Sequence, residues 1–354
     1  MGRFRRVTRL LAGAVALAVL PSVAVSSPAH AGQEASTSST RCRELTIPVA
    51  LAAGAPVDQT IAATLCTPRG AFAVQVLLYG STYDRSYWDL PYRPSTYSYV
   101  RTANLAGFAT LNIDRIGYGA SSHPPSSSVN SETNSFVVHQ IVGKLRSGAV
   151  GRFHRVVTVG HSLGSFIALK EASQYDDVDA VVATGMTHST GPAVVDLRAS
   201  LYPASQDPKF AAAGLDAGYV TTRPGTRGVF YDPASTDPAA LATDEALKNT
   251  ASGLESADLA AWRATPPETN LTRLITAPVL FVVGAHDGLA CDPLRVDCTS
   301  SSSVKALEKP YFPAADRLDA ITVADTGHSL NMHTTAPSWY ARAQLWTLLR
   351  AVGL

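Results

Sequence analysis

Residues 156–169 read VVTVGHSLGSFIAL: a β-branched apolar run, then Gly-His-Ser-Leu-Gly, then a second apolar run of helical character. One hydroxyl stands between two glycines where strand gives way to helix, and few folds use such a stretch. A sharp turn there lifts Ser162 out of the surrounding backbone and strains its φ/ψ. Side chains beside it would collide, and Gly160 and Gly164 remove them. A helix that begins at the turn directs its positive N-terminal end at the hydroxyl. The N–H of Leu163 is then free to face whatever the hydroxyl attacks. A serine hydroxyl alone is a weak nucleophile. It needs a general base, a group that orients the base, and donors for a developing oxyanion.

The rest of the chain alternates strand-like and helix-like segments. Strands are expected at Leu45–Leu51, Gln59–Cys66, Val74–Tyr79, Ala109–Ile113, Arg155–Val159, Ala180–Thr184, Pro278–Val283 and Ile321–Ala324. Several of the later ones are unbroken apolar runs, the pattern of strands covered on both faces. Helices are expected at Tyr97–Ala106, Asn134–Arg146, Leu163–Ser173 and Pro337–Val352. This alternation predicts an α/β fold with a mostly parallel sheet. Residues 191–272 break it. They are rich in Ala, Pro, Asp and Thr and have no strong strand, so they read as a cap inserted over the sheet edge. Irregular loops of that length are uncommon, so the cap should hold some helix. The core then comprises 32–190 and 273–354.

Gly160-His161-Ser162-Leu163-Gly164, after Val156–Val159 and before Ser165–Leu169, resembles the nucleophile elbow of the α/β-hydrolase superfamily. The resemblance runs from about Val74 to the C-terminus, apart from the insert. It implies an α/β-hydrolase fold, with the mostly parallel sheet flanked by helices, and three catalytic residues in the order Ser…Asp…His. Val76-Leu77-Leu78-Tyr79-Gly80-Ser81 resembles the strand that supplies the second oxyanion donor, with Tyr79 in place of the usual His. The implied donors are the N–H groups of Leu163 and Ser81, with that of Thr82 as an alternative to Ser81. Asp114–Ser121, DRIGYGAS, resembles the D-x-x-G-x-G-x-S turn of the superfamily and reads as structural.

For the acid, Phe281–Gly288 is a buried-type strand that ends in a polar turn, and Asp287 matches the superfamily position. Its role would be to accept the Nδ1–H of the base. Asp325 and Asp292 are rivals. For the base, Ile321–Ser329 is a strand followed by Gly-His, and His328 matches the final position. His123, His139 and His154 carry no motif. His161 belongs to the turn, His286 sits beside the acid, and His333 lies in the approach to the last helix.

These residues imply a serine hydrolase that cleaves a carboxylic ester through an acyl-enzyme, with no metal or organic cofactor. Activity should fall on acidification, because a protonated imidazole cannot accept the serine proton. Relatives on this fold that hydrolyse epoxides or haloalkanes use Asp as nucleophile, and Ser162 argues against both. Tyr79, Tyr83, Tyr87, Trp88, Tyr92, Tyr97 and Tyr99 cluster after the oxyanion strand. They read equally as an aromatic pocket wall or as burial beneath the cap. Tyr79, Tyr83, Trp88 and His188 are the pocket candidates, and Phe230 and Tyr231 could complete the wall. A serine exopeptidase is the second reading, with Asp244, Glu245, Glu255 and Asp258 as an anionic site for a free amino terminus. A non-catalytic binding protein is the third.

The N-terminus adds a location. Arg3, Arg5, Arg6 and Arg9, then Leu10–Leu20, then Ala29-His30-Ala31 read as a secretory signal over 1–31, too short in its apolar run to span a bilayer. Arg5-Arg6 matches the twin-arginine export signal weakly. Removing those four Arg from the 29 basic residues leaves 25 against 28 acidic ones, a charge of −3. That balance offers no basic face to nucleic acid. The expected partner is a small-molecule ester, with no stable membrane insertion. Four cysteines suit export, and Cys42–Cys66 and Cys291–Cys298 are the expected disulfides out of three possible pairings. The competing zinc reading lacks a C-x-x-C spacing and a second His near His286.

Overall fold

The structure is a computed structural model that describes residues 40–353. The signal expected over 1–31 lies outside them. Eleven strands are β1 (Arg41–Val49), β2 (Gln59–Thr67), β3 (Ala73–Leu78), β4 (Ala109–Ile113), β5 (Arg155–His161), β6 (Ala180–Thr184), β7 (Leu201–Pro203), β8 (Tyr219–Thr222), β9 (Ala251–Ser252), β10 (Val279–Gly284) and β11 (Leu318–Val323). The α-helices are α1 (Pro94–Tyr97), α2 (Tyr99–Leu105), α3 (Ser131–Ser147), α4 (Leu163–Tyr175), α5 (Val194–Ser200), α6 (Pro238–Leu247), α7 (Gly253–Ala264), α8 (Ser301–Glu308) and α9 (Ala336–Thr347).

Eight strands form one sheet in the order β1-β2-β4-β3-β5-β6-β10-β11. β1 and β2 form an antiparallel hairpin, and β2 also runs antiparallel to β4. From β4 to β11 every neighbouring pair is parallel. β3, β4, β6 and β10 are buried along their whole length, which is why apolar residues dominate them without strict alternation.

Successive residues of these strands still face opposite layers. Val76, Leu78, Val156 and Val181 pack with Val137 and Ile141 of α3 and Phe166 of α4. Leu77, Val157, Val182 and Leu280 pack on the other side with Tyr99 and Ala103 of α2 and Trp339 of α9. Local signals set the helix ends. The Asn130 side chain accepts from Thr133 N at the start of α3, and Gly148, at φ 89°, closes its end. Ser98 caps α2 by accepting from Arg101 N. That cap splits the helix expected over 97–106 into α1 and α2.

The segment between β6 and β10 is more ordered than its composition suggests. It carries α5, α6 and α7 and a small antiparallel sheet in the order β7-β8-β9. Cys42 and Cys66 face each other across the β1–β2 hairpin and are bonded. Cys291 and Cys298 close the short loop after β10. Among the described residues, no helix is long and apolar enough to cross a membrane.

Candidate active site

β5 delivers the chain to Ser162 and α4 starts at Leu163. Ser162 has φ 51° and ψ −118°, a conformation that L-residues avoid. The glycines answer to contact. A Cβ on Gly164 would run into the Leu78 carbonyl, and one on Gly160 into the Ser165 backbone. The elbow is therefore pressed between its own helix and β3, and strain at Ser162 follows from how closely those segments approach.

Ser162, Leu163, Ser81 and His328 line one cavity of about 120 Å³. This is well below the ~300–1,000 Å³ of pockets for drug-sized ligands. The N–H groups of Leu163 and Ser81 donate to no acceptor among the described residues. Ser81 lines the cavity, while Thr82 is buried behind it with φ 61°. Thr82 is held there by Arg227, whose Nη1 donates to its carbonyl (3.2 Å) and its Oγ1 (3.1 Å). Arg227 is anchored in turn by a two-pronged pair with Asp244, at 2.7 and 2.8 Å.

His328 lies past the end of β11, and its Nδ1 is 2.9 Å from both carboxylate oxygens of Asp287. Burial alone would raise the Asp287 carboxyl. The His328 ring and the N–H groups of Ala290 and Leu289 outweigh burial and hold it below its ordinary value. It therefore stays an acceptor. The rival acids lie elsewhere: Asp325 is exposed, and Asp292 accepts from Leu294 N in the cysteine loop. Ser162 Oγ has no hydrogen-bond partner among the described residues, so its link to His328 is open in this structure. Hydrogen bonds of this type are often long before substrate binds.

Other histidines support this centre. His161 is buried, with its ring stacked on Tyr87 at 4.4 Å. Burial, then the nearby His328 ring, depress its basicity well below that of an ordinary histidine. His333 was singled out by nothing in the sequence beyond its place before the last helix. Its Nδ1–H donates to the Ser329 carbonyl (2.9 Å), and its Nε2 accepts from Gly327 N (3.1 Å) and Asp232 N (2.9 Å). It thus ties both neighbours of His328 to the inserted segment. Burial pushes its pKa down to about 4.

None of the four expected pocket residues lines the cavity. Tyr79 is buried, and its hydroxyl accepts from Arg115 N (2.9 Å). Tyr83 lies behind the site between Tyr87 and Phe230, its hydroxyl 2.5 Å from Ser329 Oγ. Trp88 is packed edge-on against Tyr87 and Tyr99 in the core. His188 is fully buried, paired with Glu308 at 2.6 Å and stacked on Tyr311. The aromatic cluster is core because α2 and α9 close over it. Phe230 stacks on the His328 ring at 6.1 Å, and the Tyr231 hydroxyl donates to Asp244. The cavity wall is aliphatic instead: Val194, Leu197, Leu201, Leu259 and Leu289.

The carboxylates that an amino-terminus site would need are engaged elsewhere. Asp244 holds Arg227, Glu255 holds Arg115 at 2.5 Å, Asp258 accepts from Ser131 N, and Glu245 pairs with Lys248 at 3.6 Å. The charged side chains on the cavity are two arginines, Arg198 and Arg263.

The alpha/beta hydrolase family model matches residues 75–343. The comparison with curated proteins finds no match. Several solved structures share the fold at low identity. A bacterial membrane phospholipase A is 17% identical with a TM-score of 0.56, covering 88% of this chain and 87% of its own. A putative hydrolase from Bacillus subtilis is 14% identical with a TM-score of 0.56, covering 87% and 92%. A Pyrococcus furiosus esterase is 14% identical with a TM-score of 0.53, covering 88% and 93%.

Proposed function

Because the chain belongs to the alpha/beta hydrolase family, we propose that it is a secreted serine hydrolase that cleaves a carboxylic ester through Ser162, His328 and Asp287. The observation that carries this reading is the Asp287–His328 contact at 2.9 Å, opening onto the same cavity as the strained Ser162. In the reaction, Ser162 Oγ bonds to the ester carbonyl carbon as its proton passes to His328 Nε2. Asp287 accepts from Nδ1–H and stabilises the imidazolium. The oxyanion faces the Leu163 and Ser81 N–H groups. Collapse breaks the C–O bond, and the alcohol leaves with the proton from His328. Water then repeats the sequence on the acyl-enzyme and releases the acid.

The segment over 191–272 acts as the cap, since Val194, Leu197, Leu201 and Leu259 supply much of the cavity wall. Its small aliphatic interior suits a short acyl or alcohol group. The two disulfides support residence in an oxidising compartment. Hydrolysis of short chromogenic esters by the purified protein, with Ser162→Ala as control, tests the reading. Turnover should be lost in the variant; equal turnover by both proteins rules the assignment out.

A further inference from the structure

Two arginines are fully buried, Arg115 and Arg227, and a third, Arg263, is half-buried. Arg115 is paired with Glu255 and Arg227 with Asp244, each through short contacts between fully enclosed groups. Arg263, on α7, breaks the pattern. Its Nε donates to the Thr187 carbonyl (3.1 Å) and its Nη2 reaches Met186 Sδ (3.3 Å). No carboxylate stands within ion-pair distance of it among the described residues. A guanidinium has five N–H donors, and Nη1 here has no partner. Burial lowers its pKa to about 10, opposed only by the more distant Asp287 and Glu308. A half-buried guanidinium with a free edge and no counter-charge is a ready partner for an anion. This one faces the cavity that contains Ser162, and Arg198, exposed on α5 and also without a carboxylate partner, lines the same cavity.

We propose that Arg263 is an anion-binding, specificity-determining residue, and that the ester this site takes carries a carboxylate a short aliphatic distance from the scissile bond. The inference rests on the serine-hydrolase reading above. Planar guanidinium matches carboxylate geometry through two parallel N–H···O bonds, and Arg198 adds long-range attraction for the same charge. The cavity that Arg263 and Ser162 share is otherwise walled mainly by Leu163, Val194, Leu197, Leu259 and Leu289. A substrate that fits is therefore largely apolar and carries one anionic group. The same charges disfavour an ammonium group, which is why a free amino terminus is a poor occupant.

The test compares kcat/KM for matched short esters by titrating the acid released. One arm carries the carboxylate on the acyl side (methyl hydrogen glutarate against methyl pentanoate). The other carries it on the alcohol side (4-acetoxybutyrate against butyl acetate). A charge-assisted contact corresponds to roughly tenfold to a hundredfold. Wild-type protein should prefer the anionic member of at least one pair by about tenfold or more. The arm that shows the preference identifies the side of the ester that Arg263 reads. In Arg263→Met, which keeps the aliphatic stem, the ratio should collapse towards one, and Arg263→Lys should keep part of it. A wild-type ratio near one in both arms overturns the inference, as does a preference that survives in Arg263→Met. If neutral esters are hydrolysed in a Ser162-dependent way while the ratio is one, only this inference falls. If no ester is hydrolysed in a Ser162-dependent way, the underlying reading falls with it.

Discussion

Removing the His333 side chain should cost both stability and turnover, although it touches neither Ser162 nor the cavity. In His333→Ala, Gly327 N and Asp232 N lose their acceptor, while the Ser329 carbonyl keeps only its bond from Met332 N. Both N–H groups are enclosed, and each orphaned group costs about 1–3 kcal/mol. The expected loss is about 3–5 kcal/mol, read as a lower urea midpoint with an unchanged slope. Because Gly327 and Ser329 flank His328, kcat should fall on the order of tenfold to a hundredfold with KM little altered. The same residue predicts a pH dependence. Burial pushes its folded value down to about 4, below the ~6.5 of an exposed histidine. Its contribution is therefore fully present above about pH 6.5. It declines as pH falls and the unfolded chain takes up the proton first, and by about pH 4 roughly 3 kcal/mol is gone. His333→Ala should lack this component. A variant that unfolds within about 1 kcal/mol of wild type and keeps wild-type kcat would refute the reasoning.

Two further outcomes follow from the geometry. Asp287→Asn keeps the shape but removes the charge that holds Nδ1–H, so kcat should drop by roughly 10⁴-fold; a loss under about tenfold would show that another acid serves. Replacing Cys42 and Cys66 together by Ala removes a cross-link between residues 24 apart. Thermal and urea unfolding should register a loss of about 3 kcal/mol, and no change would mean that the hairpin holds without it.

Much of this architecture could be read from the sequence because the relevant signals are local. Ala109–Ile113 and Ala180–Thr184 are β-rich segments that stop at Asp114 and Gly185, and they coincide with β4 and β6. The turn at Ser162 announces itself through Gly160 and Gly164, whose missing side chains are required by backbone contacts. The superfamily resemblance pointed to Asp287 and His328, and the structure brings them together from strands that neighbour in the sheet.

The cavity was not legible. Tyr83 and Trp88 have the composition of a pocket wall, yet Phe230 and Arg227 cover the first and Tyr99 of α2 the second. Composition does not say which layer covers a ring. The true lining comes from α5 and α7, and which of their faces meets the site depends on how the inserted segment docks. What Arg263, Arg227 and His333 do was not legible for a related reason. Their roles lie in which atom reaches which backbone group, and residue type and spacing carry no record of that.

The central claim is that the Ser162 hydroxyl is activated by His328. Treating the folded protein with a fluorophosphonate and locating the adduct by peptide mass spectrometry tests this most directly. The account predicts one phosphonylated residue, Ser162, with labelling much slower in His328→Ala. No adduct on active protein, or an adduct elsewhere with Ser162 unmodified and activity lost, would contradict it.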